Sequence, residues 1–286
     1  MASFLSELMG IMPDLLAHHA PDDPVHLFFK KLARSHVDAL IKPSSTLKSI
    51  DLGPFGKIVF PYHQMGVAST VNLFDLDELI IFSFYWQNRK RYKNVADIGA
   101  NQGLHAVLLN RCGFHVQAYE PDPKHYKILN ENLKRNHCRR AVTYNSAVSD
   151  KAGVREFIRV LGNTTGSHVA GSKENPYGKL QRFYVKTEPI KEIIQWADLL
   201  KIDAEGHEAD ILLATKSSDW LKTEAMVEVQ NEKNARRIFK HFSKMNVNLF
   251  SQKTNWQRVF SMKEMPTTYK EGSLFISKAS KMPYSL

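Results

Sequence analysis

The chain reads as an α/β protein built on a doubly wound parallel sheet. Three observations carry this. Short apolar runs that suit buried strands alternate with stretches of helical period from residue 94 to about residue 250. Most of these runs end in a carboxylate. The first of them leads into Asp97-Ile-Gly-Ala-Asn-Gln-Gly-Leu-His105, an acid followed by a glycine-bearing turn and the start of a helix.

Taken in order, residues 1–74 read as a helical cap with short β-like pieces, and residues 75–286 as the sheet-bearing domain. Leu5, Leu8, Met9 and Met12 recur at helical spacing, and Pro13, Pro21 and Pro24 punctuate the chain after them. Residues 25–41 form a second amphipathic stretch, with Leu27, Phe28, Leu32, Val37 and Leu40 apolar and Lys30, Lys31 and Arg34 between them. Pro43-Ser-Ser breaks the pattern, and residues 47–52 and 57–60 are β-like. Residues 75–92 suit a largely buried helix. Its acids Asp75, Asp77 and Glu78 either complement the helix N-terminus or reach the ligand crevice.

From there strands are expected at 95–98, 114–119, 141–145, 198–203 and 225–229, with helices at 102–111, 121–136, 188–196, 207–215 and 234–245. Further β-like runs fall at 146–150, 154–160, 183–187, 247–250, 256–260 and 273–276. Residues 161–181, rich in Gly, Ser, Thr and Asn, read as a long mobile loop of the kind that shapes a binding site. Within it, Glu174-Asn-Pro-Tyr177 reads as a turn.

At 286 residues and 43% hydrophobic, the chain can bury a full core. Its formal net charge of +10 favours an anionic partner or surface, so nucleic acid enters as a candidate partner. Cys112 and Cys138 are expected as free thiols in a reducing cytoplasm, since the N-terminus carries no basic, signal-like segment. No apolar run is long enough to span a bilayer. The N-terminal helices suit a cap or an oligomerisation arm.

In a doubly wound sheet the ligand lies beyond the carboxyl ends of the strands. The residues at those ends are Asp97, Glu120, the run Asn145-Ser-Ala147, Asp203 and Glu228, so four of five ends carry a carboxylate. That points to a crevice that holds a cation. Gly99 is expected to allow a tight turn, and Gly103 to leave room for a ligand against the helix start. The residue two after Gly99 is Asn101, which departs from the dinucleotide fingerprint. An acid before the turn suits the sulfonium and ammonium of S-adenosylmethionine (SAM) better than a pyrophosphate. Glu120, about 20 residues beyond the turn, suits a ribose diol.

Asp97-Ile-Gly-Ala-Asn-Gln-Gly-Leu-His, Tyr-Glu120-Pro, Asn145-Ser-Ala-Val-Ser-Asp-Lys-Ala-Gly153 and Leu200-Lys-Ile-Asp-Ala-Glu-Gly-His-Glu208 together resemble the FkbM family of SAM-dependent methyltransferases. The resemblance covers about residues 75–230. It implies a Rossmann-like class I methyltransferase fold closed by an antiparallel C-terminal hairpin, and O-methylation of sugars, polyketides or other small hydroxylated molecules. By the same resemblance Asp97, Gly99, Asn101 and Gly103 hold the methionine end of SAM, Glu120 the ribose, and Ser146 and Ala147 the adenine.

Methyl transfer to an alcohol needs a group to take the hydroxyl proton. Asp203, Glu205, His207 and Glu228 are the candidates, with His105 further off. Alternatively Asp203 and Glu228 hold a divalent cation, although no spacing demands one. Lys201 is expected to be structural, on the side of its strand away from the neighbours of Asp203. The acceptor is expected to be a sugar, glycan or similar small molecule. The rivals are an RNA ribose methyltransferase and a SAM-binding adaptor without turnover.

Overall fold

The computed structural model describes residues 4–43, 49–173, 176 and 178–284. Helix α1 (Phe4–Ile11) and helix α2 (Pro24–Leu40) come first. Asp23 fixes the start of α2: its side chain accepts from the amides of Val25 and His26, and Pro24 opens the helix. Strands β1 (Ser49–Asp51) and β2 (Lys57–Val59) form one antiparallel hairpin, and β3 (Gln64–Met65) and β4 (Ala68–Ser69) another. Helix α3 (Leu76–Gln87) is capped by Asp75 and buries residues on every side, as its near-continuous apolar run predicts.

The regular part begins with β5 (Asn94–Ile98), α4 (Leu104–Arg111), β6 (His115–Tyr119), α5 (Pro123–Arg135) and β7 (Ala141–Tyr144). Next come β8 (Ser146–Ser149), β9 (Gly153–Val160), β10 (His168–Val169) and β11 (Leu180–Pro189). The chain closes with α6 (Ile190–Trp196), β12 (Leu199–Ile202), α7 (Glu208–Leu213), β13 (Glu224–Glu228), α8 (Glu232–Phe242), β14 (Asn248–Ser251), β15 (Gln257–Arg258) and β16 (Ser273–Ser277).

The main sheet has eight strands in the order β15-β14-β16-β13-β12-β5-β6-β7. Its core, β7 to β13, is parallel, and β16 inserts antiparallel between β13 and β14. This is the class I methyltransferase arrangement. The chain runs outward from β5 through β6 to β7, then returns to β12 on the other side of β5. The strand order therefore reverses between β5 and β12, and a crevice opens at their carboxyl ends.

Strands also form near 146–150, 154–160 and 183–187, but they build a second sheet, β10-β9-β11-β8. The strand pattern alone does not announce that division. Residues 161–181 carry more structure than a mobile loop. A 3-10 turn at Thr164–Gly166 and strand β10 lie in them, and the stretch is tied back where the Val67 amide donates to the Gly162 carbonyl at 2.9 Å. Glu174, Asn175 and Tyr177, and with them the turn read there, lie outside the described residues, as do 44–48 at the start of the first β-like piece.

Period-2 alternation assigns each face of the main sheet its own core. Val95, Leu199, Met226 and Phe275 pack with α3, α4 and the N-terminal helices, where Leu5, Leu8 and Val37 are fully buried. Ala96, Leu200, Val227 and Ile276 face the other way, onto Ile190, Trp220 and Ile238.

One close approach fixes the crevice. Gly99 has φ +81°, and a Cβ there would lie 1.8 Å from the Asp203 carbonyl oxygen. The turn after β5 thus lies directly on the end of β12. At Gly171, also left-handed at φ +88°, a Cβ would meet nothing within 4 Å. G171A is expected to cost only the left-handed penalty of about 1–2 kcal/mol. G99A should cost clearly more in urea unfolding, and equal losses would contradict the contact.

Candidate active site

At the β5/β12 crevice lies a cavity of about 950 Å³, near the upper end of ligand-site volumes, lined by residues from both sheets, the 163–173 stretch and the N-terminal elements. On one side the turn after β5 is clamped to the end of β6. The amides of Gly99 and Ala100 both donate to the Tyr119 carbonyl at 3.0 Å. Asn101 adopts φ +50°, a conformation asparagine tolerates better than most residues.

Glu120 closes this side. Its Oε2 accepts from the Asn101 amide at 2.7 Å and its Oε1 from the Asp122 amide at 2.8 Å. Burial pushes its carboxyl up to about 8, against the pull of the two amides. A carboxylate offers about four acceptor positions, so roughly two remain beside the cavity. Tyr119, stacked on Tyr144 at 4.7 Å, and Ala147 supply apolar lining.

Gly103 is not among the lining residues. A Cβ there would meet Leu129 Cδ1 at 2.4 Å, so glycine is needed for α5 to pack against the start of α4, and the expected room for a ligand is corrected to room for a helix. Ser146 is also buried away from the lining, with no hydrogen-bond partner for its Oγ.

The other side of the cavity is acidic. Asp97, Lys201 and Asp203 share one parity along β5 and β12, so all three point to the face that carries α3 and α4. The Lys201 Nζ lies 3.4 Å from Asp203 Oδ2 and 3.9 Å from Asp97 Oδ1. The expectation that Lys201 points away from this region is therefore wrong: residues two apart in a strand share a side. Asp97 is fully buried behind the lining, neither oxygen has a hydrogen-bond partner, and burial raises its carboxyl. Lys201 is the cation that offsets it. Burial works against the charge on Glu78 too, but His105 at 2.9 Å, together with Lys201, holds it below the usual range.

Glu205 and Glu228 line the cavity with Asp203 and complete the acidic wall. Glu205 sits at φ +50°, a backbone conformation uncommon outside glycine and asparagine, and pairs with Lys173 Nζ at 2.6 Å. Burial and the Asp203 charge push its carboxyl up to about 7. Glu228 is raised further by burial and by Asp203, Glu205 and Glu78, and accepts from Gln230 at 2.6 Å.

His207 lines the cavity, but both ring nitrogens have partners: Nε2 meets Ser149 Oγ at 2.9 Å, and Nδ1 meets Ser172 Oγ and Asp210 Oδ2, each at 3.2 Å. Glu208, fully buried, accepts from the Gly206 amide and from Asn234 Nδ2, which ties the loop to α8.

The fold thus gathers Gly99, Asn101, Glu120, Ala147, Asp203, Glu205, His207 and Glu228 around one cavity, with Asp97 behind it and His105 outside. Sequence reasoning named Lys201 as structural but not its partners Asp97 and Asp203, which strand parity supplies. It also missed Lys173 and Lys30, which reach the cavity only through tertiary folding. Lys30 pairs with Asp75 at 3.2 Å and Asp77 at 2.5 Å, which brings the acidic start of α3 to the crevice. Among the described residues no cluster of three or more His, Cys, Asp or Glu is arranged to hold a metal ion.

The family model of the methyltransferase FkbM domain matches residues 97–255, the span from Asp97 through β14. The chain belongs to the FkbM methyltransferase family. It is therefore a SAM-dependent methyltransferase, and the cavity fits that cofactor in two respects. It is large enough for a nucleoside with an acceptor beside it, and Glu120 keeps acceptor positions where a ribose diol would donate.

Solved structures similar to this FkbM methyltransferase are distant. A precorrin-6y C5,15-methyltransferase from Geobacter metallireducens shares 10% identity over 67% of this chain and 82% of its own, at a TM-score of 0.36. An O-methyltransferase from Bacillus cereus in complex with SAH shares 12% over 68% and 78%, at 0.38. A ribosomal protein L11 methylase from Lactobacillus delbrueckii subsp. bulgaricus shares 14% over 68% and 77%, at 0.36. No curated protein matches the sequence.

Removing the cation from this wall tests the charge balance. K201M should lose about 3–5 kcal/mol of stability at pH 7.5, because Asp97 is left buried and unpaired. The folded-state pKa of Asp97, already raised, rises further in the variant, so the loss should shrink at pH 5, where protonation relieves it. A loss below about 1 kcal/mol at both pH values, no more than a surface pair is worth, would contradict the assignment.

Proposed function

We propose that this FkbM methyltransferase is an O-methyltransferase that transfers the SAM methyl group to a hydroxyl of a sugar, glycan or similar small molecule. The observation that carries the reading is that one cavity joins the Gly99–Glu120 turn to the carboxylates of Asp203, Glu205 and Glu228. SAM supplies an electrophilic methyl group whose sulfur leaves as a neutral thioether. The chain's own task is to hold the two reactants in line and to accept one proton.

In this reading Glu120 accepts from the ribose, the Gly99–Asn101 backbone receives the methionine end, and Asp97 supplies negative potential from behind. Tyr119 and Ala147 flank the adenine. Gly103 and Ser146 support this side without touching the cofactor. On the acceptor side Glu205, pushed up to about 7 by burial and the Asp203 charge, is the better proton acceptor, because a base works best with a pKa near the operating pH. Glu228, raised by burial and by Asp203, Glu205 and Glu78, stands beside it as the alternative. Asp203, beside Lys201, orients the hydroxyl. His207 positions the loop, since both its nitrogens are engaged.

Residues 1–74 act as a cap on this side, where Leu27, Lys30 and Val67 enter the lining. The two free cysteines suit a reducing cytoplasm. Against an RNA acceptor stands the wall itself: among the described residues, Asp75, Asp77, Glu78, Asp203, Glu205 and Glu228 line the cavity beside Lys30, Lys173 and Lys270, with Lys201 behind them. That surplus of negative charge repels a phosphate backbone.

Three outcomes are expected. Calorimetry should show E120A binding SAM about tenfold more weakly with the fold intact, as the loss of a buried hydrogen-bonding partner implies; unchanged affinity would refute the ribose contact. D203N should lower kcat far more than SAM affinity, and equal losses would assign Asp203 to binding. The hydroxyl proton goes to an ionised carboxylate, so kcat should rise with pH through about 7. E205Q should abolish that limb, and a limb retained in E205Q would move the base to Glu228. The acceptor is found by following radiolabelled methyl transfer onto sugar, nucleotide-sugar and RNA pools.

A further inference from the structure

We propose that Glu78 receives the ammonium group of SAM, positioned for it by Tyr85 and His105. The assignment rests on the cofactor side as read above, with the ribose at Glu120 and the methionine end at the Gly99–Asn101 turn.

Glu78 stands in the first turn of α3 and lines the cavity, with its side chain 27% exposed. Its Oε2 lies 2.9 Å from His105 Nε2. His105 sits in the first turn of α4, the helix that starts directly after Gly103. One imidazole thus ties Glu78 to the element that follows the glycine turn. Phe82 packs edge-on against that ring, 5.1 Å away between centroids, and limits its tilt.

The direction of the hydrogen bonds decides the charge. Tyr85 is fully buried, and its hydroxyl lies 2.9 Å from His105 Nδ1. Burial keeps that phenol protonated, so it donates to Nδ1. Nε2 then carries the imidazole proton and donates it to Glu78. Two donors in series end on the carboxylate and favour its ionised form, while the ring between them stays neutral.

The other carboxylates around the cavity are already engaged. Asp75 and Asp77 meet Lys30, Asp203 meets Lys201 and Glu205 meets Lys173. Glu228 accepts from Gln230, and Glu120 from two amides. Asp97 is buried behind the lining. Glu78 therefore presents an ionised carboxylate whose contact is an uncharged ring. A ligand ammonium group there forms a charge-assisted hydrogen bond.

Calorimetry with S-adenosylhomocysteine and its desamino analogue, which lacks only the ammonium group, tests this. Wild type should bind S-adenosylhomocysteine about tenfold more tightly than the analogue. E78Q, which keeps the shape of the side chain, should bind the two within about twofold of each other. Y85F removes the first donor and should narrow the gap, and an unchanged gap would overturn the role given to Tyr85. E120A should weaken both ligands and keep the gap, because both carry the ribose. A wild-type protein that binds the two ligands alike would overturn the proposal. So would an E78Q protein that keeps the tenfold gap, whatever its overall affinity. If E120A binds both like wild type while the gap closes in E78Q, the ribose contact fails and the ammonium site stands.

Discussion

The site depends on one buried cation. Lys201 stands beside Asp203 and among Asp97, Glu78 and Glu228, and burial works against the charge on each of these last three. An ammonium group brought there from the middle of β12 lets several of them share one positive charge. The arrangement costs desolvation at every member, and packing alone has no use for it. It is intelligible where a cationic cofactor and a proton-losing acceptor have to be accommodated side by side.

Backbone geometry serves the same end. Gly99 lets the turn after β5 lie on the carbonyl of Asp203, which brings the Gly99–Glu120 side and the acidic side into one cavity. Glu205 holds its left-handed conformation because Gly206, His207 and Glu208 each tie the loop down: Gly206 against Ser172, His207 through Ser149 and Asp210, Glu208 through Asn234. The block Lys201 to Glu208 is therefore a rigid unit. Some of its members face the cavity, and others hold those members in place.

Much of this was legible before the structure, and the reasons are local. Strands β5, β6, β12 and β13 announce themselves by apolar runs that end in acids, and α3 by its near-continuous apolar composition. Glu120 was singled out by its distance from the glycine turn, and it lines the cavity. What escaped was set by tertiary contact. The second sheet looks, residue by residue, like more strands of the first. Lys173 reaches Glu205, and Lys30 reaches Asp75, across separations that no periodicity encodes. Gly103 was legible as a required glycine, but its reason, the Leu129 side chain, lies on another helix. Lys201 was the avoidable error, since strand period 2 alone places it beside Asp203.

A crystal structure with S-adenosylhomocysteine is the most direct examination of the central claim, that the nucleoside lies between the Gly99 turn and Glu120. The account predicts both ribose hydroxyls within hydrogen-bond distance of the Glu120 carboxylate, with the sulfur facing Asp203, Glu205 and Glu228. A nucleoside seated among those three acids, with Glu120 untouched, would contradict it.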